Sequence, residues 1–257
     1  MADTKRRIKN EEIKKATTEP KAVSQSTAMQ ERMESVSRKI LITARNELYM
    51  KMRFLDVALS CMPFIPDTGA DGMGTDGLYL YYDPQYLGGL FREDRVMVNR
   101  IYLHLVLHGI FRHMLRRKGR EERIYHLACD IVAESIIDGL QYRCVMKARS
   151  LPRREMYRML KKEMKTLTAE RVYEVLKKEE FQETKLGQLE SDFRVDDHSY
   201  WPKDEDKKKQ SQIENQWQDI SERMETEMET FSKEASEKRS KSALSVPSTN
   251  RKNSQVS

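Results

Sequence analysis

Apolar residues recur every three or four positions in several stretches of this chain, which is the spacing of one face of an α-helix. The first stretch predicts a helix that ends before Pro63, because a residue preceding proline is pushed out of the helical region. Its apolar positions are Ile40, Leu41, Ala44, Leu48, Met52, Leu55 and Leu59. Residues 1–33 lack this period and are mostly charged or polar, so we expect a disordered lead-in there.

The segment between Pro63 and Gly77 is rich in glycine, proline and aspartate, and it is expected to form a loop without helix or strand. The next five residues, 78–82, have the sequence LYLYY. Aromatic and aliphatic residues of this kind predict a short β-strand. Asp83 and Pro84 then favour a turn.

Three further helices are predicted in the middle of the chain. The most apolar stretch predicts a helix over about residues 93–117, which Gly119 ends. A second helix is predicted over about residues 121–140. Thr168 is a suitable N-cap for a third helix that runs to residue 178.

A last apolar period lies on a charged segment near the end of the chain. It predicts an amphipathic helix over residues 204–236, suited to a partner helix or a neighbouring domain. The apolar seam consists of Ile213, Trp217, Ile220, Met224, Met228 and Phe231. Residues 237–257 have no apolar period and are expected to be disordered. The folded domain is therefore expected over residues 34–203.

Composition narrows the possible functions. Hydrophobic residues make up 38% of the chain, below the ~45–50% usual in globular domains, which agrees with one core and two polar extensions. The net charge of +6 comes from 47 basic and 41 acidic residues that are interleaved, which argues against a dedicated nucleic-acid binder. No apolar run has the length of a signal peptide or a membrane span, so a cytoplasmic location is expected.

The cysteine count is also informative. Cys61, Cys129 and Cys144 are odd in number and not closely paired. They therefore suggest neither a disulfide framework nor a cysteine zinc site.

Three of the five histidines fall within ten residues, at His104, His108 and His113. On a helix, residues four apart project from the same face, so His104 and His108 can bind one ion together. His113 is turned by about 140° from His108 on an unbroken helix. It needs either a helix break at Gly109 or a role outside the set of ligands.

Asp130, on the following helix, is the more plausible third ligand. Glu134 lies one turn later on the same face, where it could orient a histidine or a water molecule. We interpret His126 as structural, and we assign His198, in a loop with two aspartates, to a polar turn. The histidine spacing predicts one bound divalent ion.

Most of the chain, from about residue 40 to residue 231, resembles the bacterial "putative metallopeptidase" domain that precedes a von Willebrand factor A-like domain. Four segments carry the resemblance through their order and spacing. They are Thr75-Asp76-Gly77 through Tyr82-Asp83-Pro84, the array of His104, His108 and His113, then Ala128-Cys129-Asp130, and finally residues 195–201 with the sequence VDDHSYW.

The resemblance implies a zincin-like, mainly helical α+β fold with a small sheet edge beside the metal-binding helix. It implies a zinc ion on His104 and His108, completed by His113 or Asp130, and a peptide or protein substrate. Members with a full zincin motif carry a general-base glutamate directly after the first histidine. This chain has Leu105 at that position.

The departure at Leu105 leaves two functions open. The chain is either a zinc metallopeptidase, which is degenerate unless Glu134 acts as the catalytic base, or a non-catalytic, metal-stabilised interaction module that acts through its C-terminal helix. If position 105 faces the open cleft beside the histidines, Leu105→Glu should be tolerated and should raise activity.

Overall fold

The fold is mainly helical with one small sheet, which confirms the predicted α+β class. The computed structural model describes the backbone of residues 19–179 and 181–244, and the side chains of residues 27–179 and 181–233. Within these residues the α-helices are α1 (Glu19–Lys51), α2 (Asp56–Ser60), α3 (Pro84–Glu93), α4 (Arg95–Ile110), α5 (Glu122–Gly139), α6 (Leu151–Glu163), α7 (Ala169–Lys178), α8 (Glu183–Phe193) and α9 (Lys207–Leu244). Short 3-10 turns lie at Arg53–Leu55, His113–Leu115 and His198–Tyr200.

The sheet has three strands of three residues each, β1 (Phe64–Pro66), β2 (Met73–Thr75) and β3 (Leu80–Tyr82). Strand β3 lies in the middle, parallel to β1 and antiparallel to β2. The expectation that the segment between Pro63 and Gly77 forms neither helix nor strand is therefore wrong. Local composition disfavours strand there, but pairing with β3 satisfies the backbone, which only the tertiary fold can supply.

The helix predicted over residues 93–117 is divided in the structure. Asp94 separates α3 from α4 and caps α4, because its side chain accepts a hydrogen bond from Met97 N. Helix α4 ends at Ile110, and Arg112 takes a left-handed conformation with φ of 53°. The prediction that Thr168 caps the next helix is confirmed, because its side chain accepts a hydrogen bond from Arg171 N at the start of α7.

Helix α5 contributes to each of the two larger hydrophobic clusters among the described residues. The larger contains residues of α1, α2, α4, the sheet and α9, and it includes Ala133 and Ile137 of α5. The second joins the opposite side of α5, including Leu127 and Ile131, to α6, α7 and α8. Leu105 is completely buried in the larger cluster. The expectation that position 105 faces an open cleft is therefore wrong.

Helix α9 packs against its own domain. Ile213, Trp217, Ile220 and Met224 are buried in the larger cluster, and the Trp217 indole N–H donates a hydrogen bond of 2.7 Å to Gly77 O. These four seam residues thus contact the rest of the same chain. Met228 and Phe231 are the two seam residues that stay exposed.

The helices extend further at both ends than the apolar pattern predicts. Helix α1 begins at Glu19, inside the expected lead-in, and α9 continues to Leu244, inside the expected tail. Residues 1–18 and 245–257 lie outside the described residues, so their disorder stays a prediction. Within the described part of the chain, no helix is long and apolar enough to cross a membrane.

Candidate metal centre

Two histidines of α4 form one side of a buried polar cluster. His104 and His108 are both completely buried, and their Nε2 atoms lie 2.8 Å apart. Their positions follow from the helical repeat, which places residues four apart on one face. The structure thus has the arrangement that the sequence predicted for this pair.

Asp130, Asp196 and His198 complete the cluster from two other parts of the chain. One potential ligand atom from each of these residues, His104 and His108 lies within 4.8 Å of all the others. Asp130 comes from α5, as the sequence predicted. Asp196 and His198 come from the segment after α8 and were missed, because His198 was assigned to a polar turn. The signal that could have found them is a histidine that follows two consecutive aspartates, because all three are residue types that bind metal ions.

Strand β2 fixes the segment that carries Asp196 and His198. Asp197 N donates a hydrogen bond of 2.8 Å to Met73 O, and Gly74 forms an isolated parallel bridge with Asp197. A Cβ atom at Gly74 would lie 2.4 Å from Asp197 O. The close approach of these backbones therefore requires glycine at position 74.

Tyr200 holds the same segment against the sheet through aromatic packing and a hydrogen bond that its hydroxyl group donates. The rings of Tyr81 in β3 and Tyr200 stack with centroids 4.2 Å apart, and Tyr200 OH donates a hydrogen bond of 2.7 Å to Asp67. The small sheet is thus the support for two of the five potential ligands.

Most distances within the cluster are close to those between the ligands of a tetrahedrally coordinated metal ion. Asp130 Oδ1 lies 3.4 Å from His104 Nε2, 3.4 Å from His108 Nε2 and 3.1 Å from His198 Nε2. His198 Nε2 lies 3.4 Å from His108 Nε2. Zinc bonds of ~2.0–2.2 Å in tetrahedral geometry place ligand atoms about 3.3–3.6 Å apart. The three separations of 3.4 Å fall in this range, while the 3.1 Å contact and the 2.8 Å between His104 Nε2 and His108 Nε2 are shorter.

Asp196 provides a second carboxylate close to the same three nitrogens. Its Oδ1 lies 3.5 Å from His104 Nε2 and 3.1 Å from His198 Nε2, while its Oδ2 lies 3.8 Å from His108 Nε2. Among the described residues, Asp130 Oδ1 and both oxygens of Asp196 are buried without a hydrogen-bond partner. Buried, unpartnered acceptors are costly, and a bound cation would satisfy all three.

Contacts on the outer side of the rings set which nitrogens face the cluster. His104 Nδ1 lies 3.0 Å from Glu134 Oε1, and an ionised carboxylate only accepts hydrogen bonds. His104 Nδ1 therefore donates, and in the neutral ring the Nε2 lone pair points inward. His108 Nδ1 lies 2.8 Å from His113 Nδ1, which allows the same orientation of His108.

His113 contacts the cluster only through His108 and is outside the group of five potential ligands. The helix ends before His113, and the left-handed backbone of Arg112 turns the chain toward His108. Gly109 remains within α4. This arrangement gives His113 the outer role that the sequence left open.

The pKa values of the histidines in the cluster are shifted in different directions. Burial lowers the pKa of His198, but the negative charges of Asp196 and Asp130 outweigh it and raise the pKa to about 10. The pKa of His104 is likewise raised by Asp196 and Asp130 against the effect of burial. Burial and then repulsion from His104 lower the pKa of His108 to about 4. Burial opposes ionisation of the two aspartates, yet the histidines hold both pKa values well below the usual range. The carboxylates thus draw positive charge into the cluster.

Glu134 contacts the outer side of the His104 ring, and its carboxylate also forms ion pairs with two arginines. Besides His104, it contacts Arg100 of α4 and Arg153 of α6 in buried ion pairs. Burial alone would raise the pKa of Glu134, but His104 and the two arginines lower it to about 2. Arg100 also lies 2.8 Å from Asp138 Oδ1. This placement favours the orienting role over the catalytic-base role that the sequence allowed for Glu134.

Two adjoining cavities reach the cluster between α5 and the segment after α8. One has a volume of about 430 Å³ and the other about 330 Å³. Asp130 and His198 line the larger cavity, and His198 also lines the smaller. Leu105 lines neither of them. His126, interpreted from the sequence as structural, lines both.

Fold and site together define a mainly helical domain with a buried histidine and aspartate cluster that could hold a metal ion. The sequence pattern of a family described as "Putative metallopeptidase domain" matches residues 37–253. The chain therefore belongs to this metallopeptidase-domain family. No curated protein and no solved structure matches the chain.

Proposed function

We propose that this chain is a zinc-dependent metallopeptidase domain in which His104, His108, His198 and Asp130 bind one zinc ion. The observation that carries the proposal is the convergence of five buried ligand groups, three of whose carboxylate oxygens have no hydrogen-bond partner among the described residues. Three imidazoles and a carboxylate are donors that zinc accepts, and three of their separations, each 3.4 Å, fit tetrahedral coordination. Family membership supplies the reaction class.

Zinc would supply Lewis-acid chemistry, which activates water and polarises a peptide carbonyl group. The chain itself must supply a proton acceptor. Leu105 has no acidic group and is buried, and Glu134 is bound to His104, Arg100 and Arg153. Asp196 has two oxygens free of hydrogen bonds within the described residues, so we assign it the role of general base.

Asp196 explains how activity could survive without a glutamate at position 105. With Asp196 as the base and Leu105 buried, Leu105→Glu is not expected to raise activity. That change would bury a carboxylate in the larger hydrophobic cluster, which costs several kcal/mol unless the group is paired. We now expect Leu105→Glu to destabilise the protein.

A metal-stabilised, non-catalytic module is the second candidate function. The observation in its favour is that all five potential ligands are buried, with His198 the most exposed at 7%. Structural zinc sites are closed by protein ligands, whereas catalytic sites keep an open position. In this alternative Asp196 is a permanent ligand, and any partner helix would use Met228 and Phe231.

The two candidates differ in the role of Asp196. We expect Asp196→Asn to retain one zinc ion per chain, measured by elemental analysis, and to lose chelator-sensitive peptidase activity by about 10²–10⁴-fold. The control is Asp219→Asn, an exposed acid on α9, which should change neither quantity. Zinc binding without hydrolysis by the unmodified protein, or loss of zinc from Asp196→Asn, would favour the non-catalytic module.

A further inference from the structure

The two cavities beside the metal centre form one cleft. Both are lined by Glu122, His126, His198 and Ser199, so they meet at these residues. His198 is also one of the potential metal ligands. A ligand lying along the cleft would therefore pass the edge of the metal centre at His198.

His126 occupies the junction of the two cavities. It lies on α5 one helical turn before Asp130, and therefore on the same face. Its ring packs edge-on against the rings of His198 and Trp201, with centroid distances of 4.7 Å in both cases. The side chain is partly exposed. Within the described part of the chain, neither ring nitrogen of His126 has a hydrogen bond, unlike those of His104 and His108.

Two arginines that line the cleft are already paired. Arg123 forms ion pairs of 2.6 Å with both Glu183 and Glu190. Arg117 pairs with Asp204 at 2.7 Å and also contacts Glu122. These arginines are therefore not free to select an acidic side chain, which leaves the unbonded ring nitrogens of His126 as groups at the junction that can contact a peptide backbone.

We propose that His126 is the peptide-contacting residue of this cleft, with its imidazole N–H donating a hydrogen bond to a backbone carbonyl oxygen of an extended peptide. An imidazole carries at least one N–H in either protonation state, so this contact needs no change in protonation. The inference rests on the proposed function, because it takes a peptide as the ligand. It adds the position of that peptide and a residue that binds it.

The test measures binding rather than catalysis. Zinc-loaded protein is titrated by calorimetry with acetohydroxamate, which offers only a metal-binding group, and with benzyloxycarbonyl-Gly-Leu-hydroxamate, which adds a peptide backbone. His126→Phe keeps an aromatic ring against His198 and Trp201 but has no N–H. We expect it to weaken binding of the peptidyl compound about three- to tenfold, the effect of one hydrogen bond. Binding of acetohydroxamate and the zinc content should not change.

Two further variants separate the hydrogen bond from packing. His126→Gln keeps an N–H donor without the ring and should bind the peptidyl compound more tightly than His126→Phe. Lys161→Gln, at an exposed position of α6 that lines neither cavity, is the control and should bind as the unmodified protein does.

Several outcomes would overturn the inference. Equal affinity of His126→Phe and the unmodified protein for the peptidyl compound is one. Failure of the unmodified protein to bind this compound more tightly than acetohydroxamate is another. If binding depends on His126 but no peptide is cleaved, the proposed hydrolysis fails while the inference stands.

Discussion

The two halves of the metal centre are built in different ways. His104 and His108 lie four residues apart on α4, where the repeat of a single helix sets their geometry. Asp196 and His198 lie on a short segment after α8. Pairing of Asp197 with β2 and stacking of Tyr200 on Tyr81 set their position. One half therefore depends on local structure and the other on contacts between distant parts of the chain. Disturbing each half separately should have different consequences.

The largest effect is expected from removing the helical half. The double change His104→Ala with His108→Ala takes away two of three imidazoles, so zinc binding should be abolished. Elemental analysis and calorimetry after reconstitution would measure this. His126→Ala is the matched control, because it removes a neighbouring histidine outside the five potential ligands and should leave one zinc ion per chain. Zinc retained by the double variant would disprove the assignment of the centre.

A second change displaces the other half without altering any ligand. Because a Cβ atom at Gly74 would lie 2.4 Å from the Asp197 carbonyl oxygen, Gly74→Ala should push the segment of Asp196 and His198 away from β2. We expect zinc affinity to fall by about 100-fold, at the upper end of the effect of losing support for a ligand, while circular dichroism shows the helices retained. Gly187→Ala is the control, since no atom lies within 4 Å of its added Cβ. Unchanged affinity in Gly74→Ala would show that the sheet does not position these ligands.

The third change tests the outer support of His104. Glu134→Gln weakens the acceptor for His104 Nδ1, and such outer partners contribute about 10–100-fold to metal affinity. The variant also leaves Arg100 and Arg153 with one fewer buried negative charge, so thermal stability should fall. Zinc titration and thermal unfolding would measure both effects, with Glu163→Gln as a surface control. Lower stability with unchanged zinc affinity would limit Glu134 to a structural role.

The last prediction concerns the pH dependence of zinc binding and changes no residue. Before zinc binds, the raised pKa values of His104 and His198, about 10 for the latter, favour protons on both rings near neutral pH. Zinc requires the deprotonated imidazole. Lowering the pH should therefore weaken zinc binding by about tenfold per unit for each proton displaced. Calorimetry in buffers of different ionisation enthalpy would count the protons released; no release between pH 6 and 8 would contradict the expectation.

The fold was predictable where the pattern was local and repeated. The Thr168 cap and the extents of α5 and α7 follow from apolar spacing and capping chemistry over a few residues, and the family resemblance implied the mainly helical class. Strands β1 and β2 did not follow, because three-residue strands carry almost no periodic signal. The burial of Ile213 to Met224 against the domain was also hidden, since an apolar seam does not show which surface covers it.

The sequence by itself determined the shared face of His104 and His108 and the placement of Asp130 one helix later, because the geometry of a helix follows from residue spacing. Only the tertiary structure decided that Asp196 and His198 join them, that Leu105 is buried and that Glu134 holds His104 from outside. Each depends on contacts between residues far apart in the chain. His198 and His108, for example, are separated by 90 positions and meet because β2 holds the segment after α8.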